Sequence, residues 1–166
     1  MVRIPAAGRF AAVPALDTTP PGLQALPERL ARAVRPLVAV LPFEPRGGGA
    51  QLRLLCNDLA DRMRESLERD PVLQAILISS EFLAKAPPHA VELICRELRV
   101  GHIISGRCHA SGDEPSLYVE LTDTHDWHIR WAEFYPGGAR GLLTDDVAMG
   151  TLVRELRTEL LNMVRV

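Results

Sequence analysis

The sequence predicts an α/β fold in which helices cover both faces of a five-stranded mixed sheet. Short apolar runs alternate with amphipathic helical stretches in the first part of the domain, which predicts parallel strands. Three strand-like segments then follow one another with only short turns between them, which predicts two successive hairpins. The predicted element order is β-α-β-α-β-β-β-α, with right-handed crossovers between the parallel strands and the fourth strand antiparallel to its neighbours.

Each of the first two strands precedes a helix. Residues 37–41 form a continuous apolar run, which is typical of a strand buried on both faces. Apolar side chains recur at helical spacing through residues 50–69 and predict an amphipathic helix. Residues 75–78 predict a second buried strand, and Pro87-Pro88 opens the next helix.

Three strands and a long helix complete the domain. The strands are predicted over residues 101–110, 116–122 and 127–135, and the turns between them are rich in polar residues. Thr144 is predicted to cap the C-terminal helix, whose apolar positions form one stripe up to Met163.

The composition is that of one ordinary globular domain. The chain has 166 residues, of which 47% are hydrophobic and 24% charged, and this usage excludes a fully disordered chain. No stretch approaches the roughly 20 uninterrupted apolar residues of a membrane helix, so no membrane span is expected. The formal net charge of -2 provides no electrostatic attraction for nucleic acid.

Proline density separates a tail from this domain. Most of the 13 prolines fall in the first 45 residues, where no regular apolar period is present. We therefore expect residues 1–35 to be a mostly disordered tail or linker with a short helix at 23–34. Residues 36–166 are expected to form a single α/β domain.

The three cysteines, Cys56, Cys95 and Cys108, are odd in number and widely spaced. This pattern argues against a disulfide framework and favours reduced thiols. The N-terminus is a poor match to a secretory signal, so the cytoplasm is the expected location. No metal site or cofactor is expected either, because the best cluster, His125, Asp126 and His128, lies at a hairpin tip where polar residues are usual.

Two loops could carry chemistry at the carboxyl ends of the parallel strands. Gly47, Gly48 and Gly49 lie between a strand and a helix, where phosphate-binding loops occur, but the Lys-Ser/Thr pair of a P-loop is absent. Ser79 and Ser80 follow the second strand without the elements of a nucleophile elbow, and a turn or helix-cap role for Ser80 explains them better. We expect no catalytic residues.

Several segments, in the same order along the chain, carry a family resemblance. They are residues 37–43 (LVAVLPF), 78–82 (ISSEF), 104–107 (ISGR) and 131–133 (WAE). Over residues 37–164 the sequence resembles the TolB amino-terminal-like domain, a module of CadC- and HilA-type winged-helix regulators and class III adenylate cyclases. Arg99 stands where that family usually has a helix-ending glycine.

The resemblance implies an anticodon-binding-domain-like sheet of strand order 2-1-3-4-5 and no catalytic residues. The expected function is that of a non-catalytic regulatory module in bacterial signalling or transcription regulation, which docks a protein partner or self-associates. A small-ligand sensor that uses the crevice near Gly47, Ser79 and Ser80 is the first alternative. An uncharacterised enzyme is the second.

Two partner surfaces are predicted. The first is the end of the C-terminal helix with Leu160, Leu161 and Val164, which is apolar on more than one side. The second is the predicted edge strand 127–135, with Trp127 and Arg130. Strict alternation along this strand places Trp127, Ile129 and Trp131 on one face and Arg130, Ala132 and Phe134 on the other.

Overall fold

The computed structural model describes residues 35–110 and 112–164. The predicted tail, with its helix at 23–34, lies outside the described residues except for Arg35. The elements follow the predicted order with three short additions, one strand and two helices. They are β1 (Leu37–Val40), β2 (Glu44–Arg46), α1 (Ala50–Glu68), β3 (Gln74–Leu77), α2 (Ser80–Lys85), α3 (Ala90–Leu98), β4 (His102–His109), β5 (Ser116–Asp123), β6 (His128–Tyr135), α4 (Ala139–Thr144) and α5 (Asp146–Val164).

The sheet is mixed and its main strand order is β3-β1-β4-β5-β6, as predicted. β1 lies parallel to both of its neighbours, so that Val38 stands between Ala75 and His102. β5 runs antiparallel to β4 and β6. The α/β class, the mixed sheet and the antiparallel fourth strand of the prediction are therefore confirmed.

β2 is a strand that the sequence did not predict. After Pro42 interrupts β1, the chain pairs again with β4 and places Glu44 opposite Arg107. This segment has the sequence Glu-Pro-Arg and is exposed throughout. It has no apolar period to reveal it, and its proline is tolerated because the strand is short and lies at an edge.

One face of the sheet carries the larger core. α1, α4 and α5 pack on this face, and the fully buried side chains at its centre include Leu59, Met63, Leu121 and Leu156. On the other face a smaller cluster forms around Ala39, Ile103 and Cys95, under α2 and α3. Because β1 is covered on both sides, its residues from Val38 to Val40 are fully buried, which explains the continuous apolar run.

The helix starts differ from the prediction. Thr144 ends α4 and its hydroxyl donates to the carbonyl of Arg140, so it does not cap the C-terminal helix. The Asp145 carboxylate accepts the backbone N–H of Val147 and starts α5 instead. Ser79, and not Ser80, caps α2 by accepting the Phe82 N–H at 3.1 Å. In the described part of the chain, no helix combines the length and apolarity needed to cross a membrane.

Candidate functional site

Among the described residues, about half of one sheet face has no helix packed on it. α2 and α3 cover β1, β3 and the first residues of β4, whereas no described helix covers the same face of β5, β6 and the rest of β4. We call this surface the open face. Ile104, Val119 and Leu121 point into the larger core, so their neighbours along each strand and the residues paired with those neighbours point to the opposite face. The residues of the open face are Ser105, Arg107, Tyr118, Glu120, Thr122, Ile129, Ala132 and Phe134.

A bulge decides which residues of β6 belong to the open face. Leu121 pairs with Trp131 but the next residue, Thr122, pairs with Ile129, so that Arg130 is the extra residue of the strand. The bulge puts Ile129 on the same face as Phe134 and turns Trp131 towards the larger core. The predicted grouping of Trp127, Ile129 and Trp131 is therefore wrong, because strict alternation fails at a bulge.

The centre of the open face is a hydrogen-bonded polar cluster. The Glu120 carboxylate accepts the Tyr118 hydroxyl at 2.8 Å and the Ser105 hydroxyl at 3.2 Å. The Arg107 guanidinium lies 4.6 Å from the centroid of the Tyr118 ring. The hydrogen bond to Glu120, together with burial, raises the pKa of Tyr118, so this residue stays a neutral phenol. Both hydroxyls are thus engaged within the cluster.

Large apolar side chains surround this cluster. Phe134 is 51% exposed and Ile129 is 54% exposed, and both belong to the open face. Trp127 at the hairpin tip and Phe82 on α2 are also about half exposed. Hydrophobic side chains scattered singly on a surface need no explanation, so the informative observation is that Ile129 and Phe134 share one face.

A groove runs between the α2–α3 segment and the open face. Two adjoining cavities of about 420 and 500 Å³ share Leu41, Leu83 and Ser105 in their walls. Trp127 borders the first cavity, whereas Arg107 borders the second. The groove is mostly apolar, and Ser105, Arg107 and Glu120 of the polar cluster line its second cavity.

Trp127 reaches the groove through an unusual backbone conformation. Its φ of +61° lies in the left-handed region, which costs free energy for a bulky residue. Its backbone N–H donates to the carbonyl of Asp123 at 2.7 Å, which fixes this turn. Beside it, the predicted partner residue Arg130 forms ion pairs with Asp123 and Asp126, so its charge is engaged within the hairpin.

The glycine loop and the serine pair predicted as one crevice are separate in the structure. Gly47 and Gly48 have φ of +79° and +67° and make the turn between β2 and α1, where a Cβ on Gly48 would come within 2.9 Å of Leu52. Ser79 and Ser80 line a cavity of about 160 Å³ with Asn57, to which none of the three glycines contributes. Ligand pockets usually hold ~300 Å³ or more, so this cavity is small for a ligand.

The helix end predicted as a partner surface packs on the larger core of its own chain. Leu160 is fully buried and Met163 packs against the same cluster, whereas Leu161 is half-buried. The side chain of Val164 lies outside the described residues. Leu160 is therefore not available for docking. The last turns of α5, for which the sequence predicted no contact within the chain, pack against the sheet and α1.

The described residues contain no group of three or more His, Cys, Asp or Glu side chains that is suited to hold a metal. At the hairpin tip, His128 Nδ1 lies 3.4 Å from the Asp126 carboxylate, which also accepts the His128 backbone N–H. This arrangement is that of a polar turn.

No protein-family model matches the chain, and no curated protein matches its sequence. Among solved structures, it is similar to a variant of PelC from Paraburkholderia phytofirmans that is described as a dodecamer. The TM-score is 0.48 at 15% identity, over 78% of this chain and 89% of that one. Lipoprotein GNA1162 from Neisseria meningitidis has a TM-score of 0.44 at 11% identity, over 76% of this chain and 96% of that one.

TolB from Acinetobacter baumannii is also similar, with a TM-score of 0.41 at 12% identity, over 67% of this chain and 28% of that one. At such identities the likeness concerns the fold alone. The link to winged-helix regulators and adenylate cyclases stays a prediction.

The cytoplasmic location predicted from the N-terminus and the cysteine pattern is wrong, because the similar structures include a protein described as a lipoprotein. All three cysteines are buried and unpaired in the structure.

Proposed function

We propose that this chain is a non-catalytic regulatory module that binds a protein partner, or a second copy of itself, through the open face and its groove. The observation that carries the proposal is the uncovered half of the sheet, where Ile129, Phe134 and Trp127 surround the Glu120 cluster. Burying these side chains against a partner removes apolar surface from water without disturbing the core.

The polar cluster supports binding more than chemistry. Glu120 already holds Tyr118 and Ser105 in place, so a partner meets a surface whose side chains are oriented before it arrives. The cluster has no further assigned role in chemistry, and we propose that it positions the surface for a partner.

The edge strand adds a second mode of recognition on the same surface. β6 is the last strand of the sheet in the described residues, so its outer backbone groups have no strand partner there. Such an edge accepts a further strand through main-chain hydrogen bonds. Ile129 and Phe134 belong to this strand, which makes the edge and the open face one continuous surface.

The test compares two exposed apolar residues on opposite sides of the molecule. Phe134→Lys changes the open face, whereas Leu54→Lys changes a 62% exposed position on α1 and serves as the matched control. We expect Phe134→Lys to weaken association at least ~10-fold, because a lysine cannot be buried in an apolar contact without a partner charge. Leu54→Lys is expected to leave association unchanged.

Two measurements cover the two kinds of partner. Sedimentation of the full chain from 1 to 100 μM measures self-association, and a photo-crosslinker placed at position 134 or 54 captures a partner protein in the cells that make this chain. A monomer at all concentrations, together with equal crosslinking from both positions, contradicts the proposal.

Trp127→Gly provides an independent check. Glycine adopts the positive φ without strain, so this variant keeps or gains stability while it removes one wall of the groove. Loss of partner binding without loss of thermal stability is expected. Unchanged binding excludes the Trp127 end of the groove from the contact.

A further inference from the structure

Two of the three buried cysteines meet inside the larger core. Cys56 lies on the inner side of α1 and is 1% exposed, and Cys108 lies on the inner side of β4 and is 0% exposed. The two thiols are close enough to shift each other's pKa, lowering that of Cys56 and raising that of Cys108. The contact joins a helix to a central strand through residues that are far apart in the sequence.

The packing one turn away supports this contact. The Cβ atoms of Leu52 and Ala110 both lie within 3.2 Å of the point where a Cβ on Gly48 would sit, so α1 and β4 are close at this level. From Leu52 to Cys56 the helix rises about 6 Å. From Ala110 back to Cys108 the strand covers about 6.6 Å. Because helix and strand of a β-α-β unit run in opposite directions, the two steps lead to the same level, where the cysteines face each other.

The third cysteine cannot compete for this contact in the folded chain. Cys95 lies on α3, in the smaller cluster on the other face of the sheet. Burial raises the pKa of its thiol. The fold thus places one thiol on one side of the sheet and a facing pair on the other.

We propose that Cys56 and Cys108 form a disulfide that ties α1 to β4 when the chain meets a disulfide-bearing oxidant, either a small molecule or an oxidoreductase. The Cys56 thiolate attacks one sulfur of the oxidant and releases its first thiol. The Cys108 sulfur, after losing its proton, then displaces the second thiol from the mixed disulfide. The pair loses two electrons and two protons, and the oxidant's disulfide is reduced to two thiols.

The effect of the two thiols on each other suits this order of events. It lowers the pKa of Cys56 and raises that of Cys108, so Cys56 is the readier nucleophile. Burial in the finished core excludes the oxidant, so the disulfide forms during folding or through local opening.

The experiment refolds the full chain from denaturant in a buffer of reduced and oxidised glutathione, followed by alkylation and peptide mapping by mass spectrometry. We expect one alkylated thiol, at Cys95, and a crosslinked pair of peptides that contain Cys56 and Cys108. A chain without native contacts would favour Cys95–Cys108 instead, because these two are nearest in sequence and close the shortest loop. The identity of the pair therefore reports the native geometry.

Variants separate the proposal from non-specific oxidation. Cys95→Ala is expected to retain the crosslink, whereas Cys56→Ala and Cys108→Ala each abolish it. The oxidised chain is expected to melt about 10 °C above the reduced chain, since closing this loop restricts the unfolded state. Dominant pairing that involves Cys95, three alkylated thiols after refolding, or an oxidised chain that melts below the reduced one would each overturn the proposal.

Discussion

Arg99 occupies a backbone conformation that favours glycine. It ends α3 with a φ of +57° and a ψ of +44°, and its backbone N–H donates to the carbonyl of Cys95. The left-handed conformation at a helix end is usually adopted by glycine, because an L side chain there meets steric cost. The sequence already marked this position, where the resembling family has a glycine.

Arg99→Gly is expected to stabilise the fold by about 0.5–1 kcal/mol, because the relief of the backbone cost exceeds the added flexibility of the unfolded chain. Urea denaturation of both proteins measures this difference. Arg96→Gly, within the same helix, is the control and is expected to destabilise by a similar amount. Equal losses in both variants would show that Arg99 carries no conformational cost.

His102 is a buried base without a hydrogen-bond partner among the described residues. It is 7% exposed, and neither ring nitrogen is satisfied. Burial lowers the pKa of His102 below the ordinary 6.5; the nearby Asp123 carboxylate opposes this shift, whereas Arg130 and His125 add to it. The ring is therefore neutral in the folded state over a pH range in which an unfolded chain carries the charge.

Folding stability is expected to fall as the pH drops below about 6.5, because the unfolded chain then binds a proton that folded His102 does not. His102→Leu removes this dependence and the unpaired polar atoms together. Its melting temperature at pH 7.5 is expected to equal or exceed that of the parent, and the difference is expected to widen at pH 5. A constant difference between pH 7.5 and pH 5 would contradict the assignment.

At the scale of elements, α5 is held by a stripe of fully buried side chains. Leu152, Leu156 and Leu160 are each at most 1% exposed, and they pack against the larger core. Arg157 near the end of α5 also forms an ion pair with Asp70 after α1, on the same side of the sheet. The last turns of α5 are thus part of the fold.

Leu160→Ala is expected to cost about 2–5 kcal/mol of stability, because it leaves a cavity in a packed core. The neighbouring Leu161→Ala is the matched control, since Leu161 is only half-buried, and a loss below about 1 kcal/mol is expected there. Urea denaturation measures both. Equal small losses would mean that the helix end is loosely packed and free to dock elsewhere.

At the scale of the whole molecule, the described residues contain both clusters of the core and every strand of the sheet named above. A chain that begins at Arg35 is therefore expected to keep the cooperative unfolding and the melting temperature of the full chain to within about 3 °C. Limited trypsin digestion is expected to leave a stable fragment that starts near Arg35. First cleavage within residues 50–160 would contradict this domain boundary.

The sequence by itself determined the α/β class, the order of the main elements along the chain and the amphipathic faces of α1 and α5, whereas the strand order within the sheet came from the family resemblance. These features depend on local periodicity, and the apolar run at 37–41 and the alternation in 116–122 report burial directly. Connection length then restricts the topology, because strands joined by helices lie parallel and strands joined by short turns do not.

Only the tertiary structure decided where the open face lies, which apolar side chains it exposes and which cysteines meet. The extra residue Arg130 moves Ile129 to the face of Phe134, and no local signal in the sequence marks a bulge. The sequence pattern alone predicts that Leu160 is exposed at the helix end, but the packing of α5 on the larger core buries it. Cys56 and Cys108 come together because α1 packs over β4. Each of these outcomes depends on contacts between residues distant along the chain, which local patterns do not encode.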